Sequence, residues 1–375
     1  MGQRSEESAF LFPILYSLFP VLRYPETMAA VPQVVESSVG AQTRLRDSHN
    51  RVITDLRVSI TDRCNYKCVY CRTGQVGAQY AELHIDEYLR LIRIFVDLGI
   101  EKVRLTGGEP LLRRDLPEMI RELATWRTLT RDRLDIAVTT NGHLLESLAQ
   151  PLKDAGLSRV TVSMDAVDPA TFERITRVHG SHPAVLRGIR AAQSAGLGPV
   201  KVNCVLLRGF NDDQVEAFAR FALEEGVIVR FIEFMPLEED RLWSPDMVVP
   251  LREIVDRIGK VFPLRPLPPN SPGETARRYS FAGDTGSSGE IGIIAPVTQA
   301  FCGACSRIRL TSDGKIRTCL FSNIEHDLYG QMRRGASDND LRTFIVHTVE
   351  QKEARHHIGE PGFLKPSRSM VHIGG

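Results

Sequence analysis

Six short apolar runs rich in β-branched residues alternate with five amphipathic stretches between Asp55 and Pro236. The runs are Leu56–Ile60, Lys102–Thr106, Leu134–Thr139, Arg159–Ser163, Val200–Leu206 and Val229–Glu233. The stretches are Asp86–Leu98, Leu116–Thr125, Leu144–Ala155, Pro183–Ala195 and Asp213–Glu225. Glycines at 99, 156, 196 and 226 follow four of them, where a left-handed residue most easily ends a helix. This alternation predicts parallel strands joined by right-handed crossovers, because each helix returns the chain to the same end of the sheet.

A doubly wound sheet and a barrel both satisfy that rhythm. The runs exit into polar or glycine-rich residues: Thr61-Asp62-Arg63-Cys64, Thr106-Gly107-Gly108-Glu109-Pro110, Thr139-Thr140-Asn141-Gly142, Ser163-Met164-Asp165 and Glu233-Phe234-Met235. In a barrel such ends converge on one mouth. A doubly wound sheet concentrates its chemistry at a switch point, and no Gly-x-Gly-x-x-Gly follows the first run. The expected fold is α/β, a partial (β/α)6 TIM-like barrel over residues 51–236. A C-terminal extension, residues 237–375, is expected to carry a second cysteine site.

In that extension, Pro263 to Pro272 is Pro-rich and Gly283 to Gly289 is Gly/Ser-rich, so both predict loops. Ser306–Thr311 and Lys315–Leu320, joined around Asp313-Gly314, predict a β-hairpin. Residues 1–50 lie outside the rhythm. Their apolar run, Phe10 to Leu22, is too short to span a bilayer and is interrupted by Pro13 and Pro20. Glu6 and Glu7 ahead of it oppose a secretory signal, and Glu26, Glu36 and Asp47 oppose a mitochondrial presequence. A disordered leader is expected, or one preceding a true start at Met28.

Lys and Arg number 47 against 46 Asp and Glu, so no bulk basic field attracts nucleic acid. An anionic ligand needs a local cluster of cations. Of seven cysteines, six fall into two close-spaced groups, and Cys204 stands alone in a predicted strand as a small core residue. A secreted disulfide framework would be smaller and more evenly laced. Clustered thiols in a chain of 375 residues predict metal or iron–sulfur ligands and a reducing compartment.

Directly after the first run, Cys64-Asn65-Tyr66-Lys67-Cys68-Val69-Tyr70-Cys71 has the spacing Cys-x3-Cys-x2-Cys. Three thiolates on a short loop can hold three irons of a four-iron cube, leaving the fourth to bind a small molecule. A zinc site borrowing a distant histidine uses the same donors. Position at a barrel mouth and the glycine motif after the second run favour the cube.

These features together resemble the radical S-adenosylmethionine superfamily. The resemblance implies a [4Fe-4S] cluster on Cys64, Cys68 and Cys71 whose open iron chelates S-adenosylmethionine. Cleavage of the sulfonium then gives a 5′-deoxyadenosyl radical. It also implies that the Thr106–Pro110 motif binds the methionine amino end, with Gly108 admitting close backbone approach. Tyr70 would contact the adenine, and Ser163 and Met235 would line the nucleoside.

A second triad follows: Cys302-Gly303-Ala304-Cys305 and, beyond the hairpin's first strand, Cys319. His326 could complete a zinc site here, but three thiols favour a second cube with an open iron for a substrate. Arg307 and Arg309 fall on one side of a strand. Two guanidiniums there suit phosphate oxygens, a solvated strand face being the alternative.

The two triads, the Arg-x-Arg, Lys201-Val202-Asn203 and the final Gly374-Gly375 are similar to the branch of that superfamily acting in molybdenum cofactor biosynthesis. The similarity runs from about Asp55 to the last residue. It implies a second [4Fe-4S] cluster, with GTP as substrate and its guanine at the second open iron. Arg57, Arg104, Thr139, Lys201, Arg307 and Arg309 would hold the nucleotide. The radical would take the ribose C3′ hydrogen, and the sugar would attack guanine C8.

The same similarity implies an external electron donor and a product passed to cyclic pyranopterin monophosphate synthase. It places Gly374 and Gly375 in the active site. It also implies a cytoplasmic enzyme, or a mitochondrial-matrix one in a eukaryote, with no nucleic-acid or membrane partner; a homodimer is compatible. The family commonly has Met-Pro after the third cysteine, where this chain has Arg72-Thr73. A peptide-maturing radical enzyme is the runner-up. That class tends to carry more C-terminal cysteines and needs neither the Arg-x-Arg nor the Gly-Gly end.

Overall fold

A computed structural model of the chain describes residues 44–72, 77–239, 242–283 and 289–374. Most of the predicted leader, Thr73, the centre of the Gly/Ser-rich stretch and Gly375 lie outside the described residues. All six predicted strands form, within a residue of their expected limits: β1 Asp55–Ser59, β2 Lys102–Thr106, β3 Asp135–Thr140, β4 Arg159–Ser163, β5 Lys201–Leu206 and β6 Ile228–Glu233. Beyond them come β7 Leu264–Leu267, β8 Arg277–Phe281, β9 Glu290–Ile294, β10 Arg307–Leu310, β11 Lys315–Arg317 and β12 His326–Asp327.

The helices are α1 Ile85–Asp97, α2 Leu116–Ala124, α3 Leu145–Asp154, α4 Pro169–Thr176, α5 His182–Ser194, α6 Val215–Glu225, α7 Leu251–Gly259, α8 Leu328–Arg333, α9 Asp338–Glu350 and α10 Met370–Ile373. The first four of the five predicted helical stretches correspond to α1, α2, α3 and α5, and the fifth to α6. In α1 the buried Tyr88, Leu91, Ile92, Phe95 and Val96 follow the i, i+3, i+4, i+7, i+8 spacing of one helix face. A capping box between His84 and Glu87 starts that helix. No described helix is long and apolar enough to cross a membrane.

All twelve strands join one mixed sheet in the order β12-β11-β10-β1-β2-β3-β4-β5-β6-β9-β8-β7. Strand β10 runs parallel to β1, with Arg57 opposite Arg309, and β9 runs parallel to β6. The parallel core is therefore eight strands wide, two more than the rhythm predicts. The extra pair comes from the extension, where no alternating helix announces it. Residues from all eight parallel strands line a single cavity, so the sheet curls around it as a partial barrel.

Period-two alternation divides the strands between two environments. In β5, Val202, Cys204 and Leu206 are buried outward against the helices, while Asn203 and Val205 line the cavity. Phe231 of β6 likewise meets Phe218 of α6 edge to face, with ring centroids 5.9 Å apart. Cys204 is fully buried in this outer layer.

Two sequence expectations require correction. The Pro-rich stretch expected to be a loop contains β7, whose Pro266 lies opposite Tyr279. Proline fits there because β7 is the edge strand and one of its sides needs no ladder donor. The leader boundary also shifts, since residues 44–50 belong to the body. Leu45 is buried and donates its N–H to the Leu98 carbonyl at 3.0 Å. Asp47 forms a buried ion pair with Arg51 at 2.6 Å.

The predicted hairpin forms as β10 and β11, with Arg309 opposite Arg317 and Leu310 opposite Ile316. Its turn residue Gly314 has φ +74°, and a Cβ there would lie 2.4 Å from the Tyr329 Cβ. Gly314→Ala is expected to lower stability by about 1–3 kcal/mol, from left-handed strain plus that contact. Urea denaturation checks this, and an unchanged midpoint would refute it.

Candidate active site

The first cysteine loop leaves β1 and is fastened on three sides. The Gly108 N–H donates to the Thr61 carbonyl at 2.7 Å, and the Glu109 N–H donates to the Arg63 carbonyl at 2.8 Å. Asn141, at the end of β3, donates to Asn65 Oδ1 at 2.7 Å. Lys67 and Val69 donate their N–H groups to the carbonyls of Thr176 and Ile175, at the end of α4. Glu109 locks the β2 and β3 ends together. It accepts from the Thr140 hydroxyl at 2.7 Å and the Asn141 N–H at 2.6 Å, and burial pushes its carboxyl up to about 7.

Cys64, Cys68 and Cys71 all line the cavity. Burial, with a lesser push from Glu109, raises the Cys64 thiol to about 11. Burial raises Cys68 and Cys71 as well, helped at Cys68 by Asp165. Such thiols ionise only against a cationic partner, as binding to a metal would provide.

The second triad sits at the opposite end of the barrel. Cys305 lies just before β10, and Arg307, the first residue of β10, pairs with Asp55, the first residue of β1. Cys319 follows β11, which runs antiparallel to β10 and so ends at the same level. Cys302, Cys305 and Cys319 line the same cavity as the first triad. Their surroundings are cationic. Burial alone would raise the Cys305 thiol, but Arg307 and Lys352 bring it down to about 6. Arg307 also stands over the Phe301 ring at 4.9 Å. His326, the alternative zinc ligand, lies on β12 and is absent from this wall.

Between the triads, Arg57, Arg104, Arg230, Arg307 and Arg309 line the cavity. Burial, then repulsion from Arg159, lowers Arg104 to about 10, and burial with Arg104 lowers Arg230 to about 9. Burial and the adjacent Arg307 bring Arg309 to about 10. Arg57 is pushed down by burial and by Arg309, Arg104 and Arg307. Arg307 donates to Cys305 Sγ at 3.3 Å, and the partners described for Arg104 and Arg230 are neutral. Arg104 donates to Thr139 at 3.0 Å and Thr161 at 3.2 Å, and Arg230 donates to Asn203 at 2.9 Å. Arg309 Nε is buried without a partner. Nearby acids are engaged elsewhere, Asp55 with Lys102 and Glu290 with Arg278. Like charges gathered in this way are a standing cost that a polyanion removes.

The remaining expected residues divide. Tyr70, Gly108, Thr139, Ser163 and Met235 line the cavity, and the Tyr70 hydroxyl donates to Asp165 at 2.7 Å. Lys201 does not line it. This lysine begins β5, below the cavity-lining Asn203, where burial and Arg230 lower it to about 8. The C-terminal segment contributes Met370 and Val371 to the wall. Gly374 packs beside it, and a Cβ there would lie 2.9 Å from Thr106 Cγ2. Arg368 clasps this segment through Asp313 at 2.8 Å and the Tyr80 ring at 3.9 Å.

Residues 58–222 match the Radical SAM superfamily, and residues 227–358 match Molybdenum Cofactor Synthesis C. The GTP 3′,8-cyclase of Acidothermus cellulolyticus is 46% identical over 77% of this chain and 80% of its own. The GTP 3′,8-cyclase of Moorella thermoacetica is 42% identical over 88% of this chain and 100% of its own. The chain belongs to the GTP 3′,8-cyclase family of radical S-adenosylmethionine enzymes. The solved structure of Streptococcus suis SuiB shares the fold, with a TM-score of 0.55 at 12% identity, covering 75% of this chain and 65% of SuiB.

Membership of this family implies a [4Fe-4S] cluster and S-adenosylmethionine. The donor set at the first triad fits: three thiols on one tethered loop facing an open cavity, with one iron left to an exogenous ligand. The family's usual Met-Pro is replaced by an Arg72 that is buried and lines the cavity. It donates to the Asp62 carbonyl at 3.2 Å. The sequence reading missed Arg72, Asn203, Arg230 and Lys352. Arg230 had a signal in sequence, a cation inside the apolar run Val229–Glu233. Lys352 follows α9 and carries no local signal.

Gly108 is where the β2 end meets the cysteine loop. A Cβ there would lie 2.2 Å from the Arg63 carbonyl oxygen and 2.6 Å from its carbon, so one backbone must move. In Gly108→Ala, anaerobic reconstitution is expected to yield about four irons per chain fewer than in the parent. Iron and sulfide analysis checks this, and full loading would overturn it.

Proposed function

We propose that the chain cyclises GTP to (8S)-3′,8-cyclo-7,8-dihydroguanosine 5′-triphosphate, the first step of molybdenum cofactor biosynthesis. The observation that carries this reading is one cavity with a thiol triad at each end and five arginines between, none in an ion pair with a carboxylate among the described residues. The names of the curated relatives supply the substrate.

On this reading Cys64, Cys68 and Cys71 hold the first [4Fe-4S] cluster, with Tyr70, Gly108, Ser163 and Met235 around S-adenosylmethionine. Cys302, Cys305 and Cys319 hold a second [4Fe-4S] cluster. When bound, the first cluster and S-adenosylmethionine together supply a 5′-deoxyadenosyl radical. The protein's part is placement. Arg57, Arg104, Arg307 and Arg309, with Thr139 and Arg230, hold the triphosphate, and Lys201, outside the cavity wall, adds only its charge. That fixes the ribose between the two ends, and the barrel wall keeps water from it. Met370 and Val371, with Gly374 packed beside them, close the first opening. An external electron donor and a following enzyme that makes the cyclic pyranopterin complete the sequence. Seven free cysteines suit a reducing compartment such as the cytoplasm.

The test is anaerobic reconstitution followed by incubation with reductant, S-adenosylmethionine and GTP. Both 5′-deoxyadenosine and the cyclised nucleotide are expected, and absence of both sinks the reading. Arg307→Ala is expected to weaken GTP binding by roughly 10- to 100-fold, the worth of a charge-assisted hydrogen bond, with iron content unchanged. Loss of iron in that variant would make Arg307 structural.

A further inference from the structure

Lys352 follows α9, and its N–H donates to the Val349 carbonyl at 3.0 Å. Its side chain turns inward, only 3% exposed, and lines the cavity beside Cys305 and Cys319. Arg51 fixes that placement. This buried guanidinium donates to the carbonyls of Cys302 at 2.8 Å, Glu353 at 2.6 Å and Ala354 at 2.8 Å. One side chain therefore ties the loop of the second triad to the segment carrying Lys352. Asp47 holds Arg51 in turn at 2.6 Å.

An ammonium has three N–H donors. The one hydrogen bond described for Lys352 goes to the Thr318 carbonyl. Its neighbour Glu353 accepts from the Thr318 hydroxyl at 2.7 Å, and no carboxylate forms an ion pair with Lys352 among the described residues. Donors thus remain for the cavity. Phe301, Pro296, Leu320 and Phe321 line the cavity near this end, apolar walls suited to a flat base.

Guanine and adenine differ most simply at position 6, where guanine offers an oxygen acceptor and adenine an amino donor. An ammonium facing that position satisfies the first and opposes the second, and a site built around such a bond strongly rejects a ligand lacking it. We propose that Lys352 selects guanine over adenine by donating to O6. The inference rests on the reading that the purine lies beside the second triad.

The experiment measures equilibrium binding to the anaerobically reconstituted protein without S-adenosylmethionine, so nothing turns over. The probes are GTP, ATP, inosine triphosphate, which keeps O6 but lacks the amino group, and 2-aminopurine riboside triphosphate, which keeps the amino group but lacks O6. The parent is expected to bind GTP and inosine triphosphate at least about tenfold tighter than the other two. Lys352→Met should lose that advantage while binding the 2-aminopurine nucleotide as before, and Lys352→Arg should restore part of it.

If the parent binds none of the four, the proposed function fails and the inference with it. If the parent prefers GTP and Lys352→Met keeps the preference, the inference alone is overturned. Uniform weakening of all four also overturns it, because Lys352 would then be a general cation. Should Lys352→Met lose iron, the parent decides: equal affinity for GTP and the 2-aminopurine nucleotide overturns the inference.

Discussion

Five arginines line one barrel interior, and among the described residues no carboxylate forms an ion pair with any of them. Left alone, such a group repels itself and loses hydration that a few hydrogen bonds to Thr139, Thr161, Asn203 and Cys305 replace only in part. The surrounding sheet tolerates it because the outward faces of the same strands carry the apolar core. Phe231 and Cys204, fully buried against the helices, alternate with Arg230 and Asn203 on the inner side. The fold is stabilised on one face of each strand and spends part of that stability on the other. A triphosphate resolves the conflict, so substrate binding and relief of self-repulsion become one event.

That arrangement also orders the two thiol triads. The first lies among apolar walls and carboxylates, so burial works against its thiolates. The second lies beside Arg307 and Lys352, which favour the Cys305 thiolate. The parallel pairing of β10 with β1 places these environments at opposite ends of one barrel. A substrate between them meets a site for radical generation at one end and a cationic site at the other. Their separation follows from strand direction and needs no moving part.

Much of this was legible in the chain because barrels write their layout in short-range patterns. The alternation of runs and helical stretches placed β1 to β6 within a residue, and Asp313-Gly314 marked the hairpin turn. Cysteine spacing marked both triads, and the family resemblance named Arg57 and Arg104. What escaped depends on long-range pairing. Strands β9 and β10 flank β6 and β1 only because the extension folds back, and no local period encodes that return. Pro266 hid β7, since an edge strand can be recognised only once its sheet exists. Helix α4, whose last carbonyls secure the cysteine loop, was lost between two stronger signals.

Lys352 and Arg51 illustrate the same limit at the scale of single residues. In sequence they are ordinary cations far apart, one before the barrel and one after its last long helix. Folding brings the Arg51 guanidinium onto carbonyls from both the Cys302 loop and the Lys352 segment. A residue ahead of β1 thereby sets the position of a cation beside the second triad. Cysteine spacing specifies where a cluster can form, but the chemistry available to a bound base depends on which donors converge there. That convergence is a property of the closed chain, and here it is carried by three main-chain hydrogen bonds from one arginine.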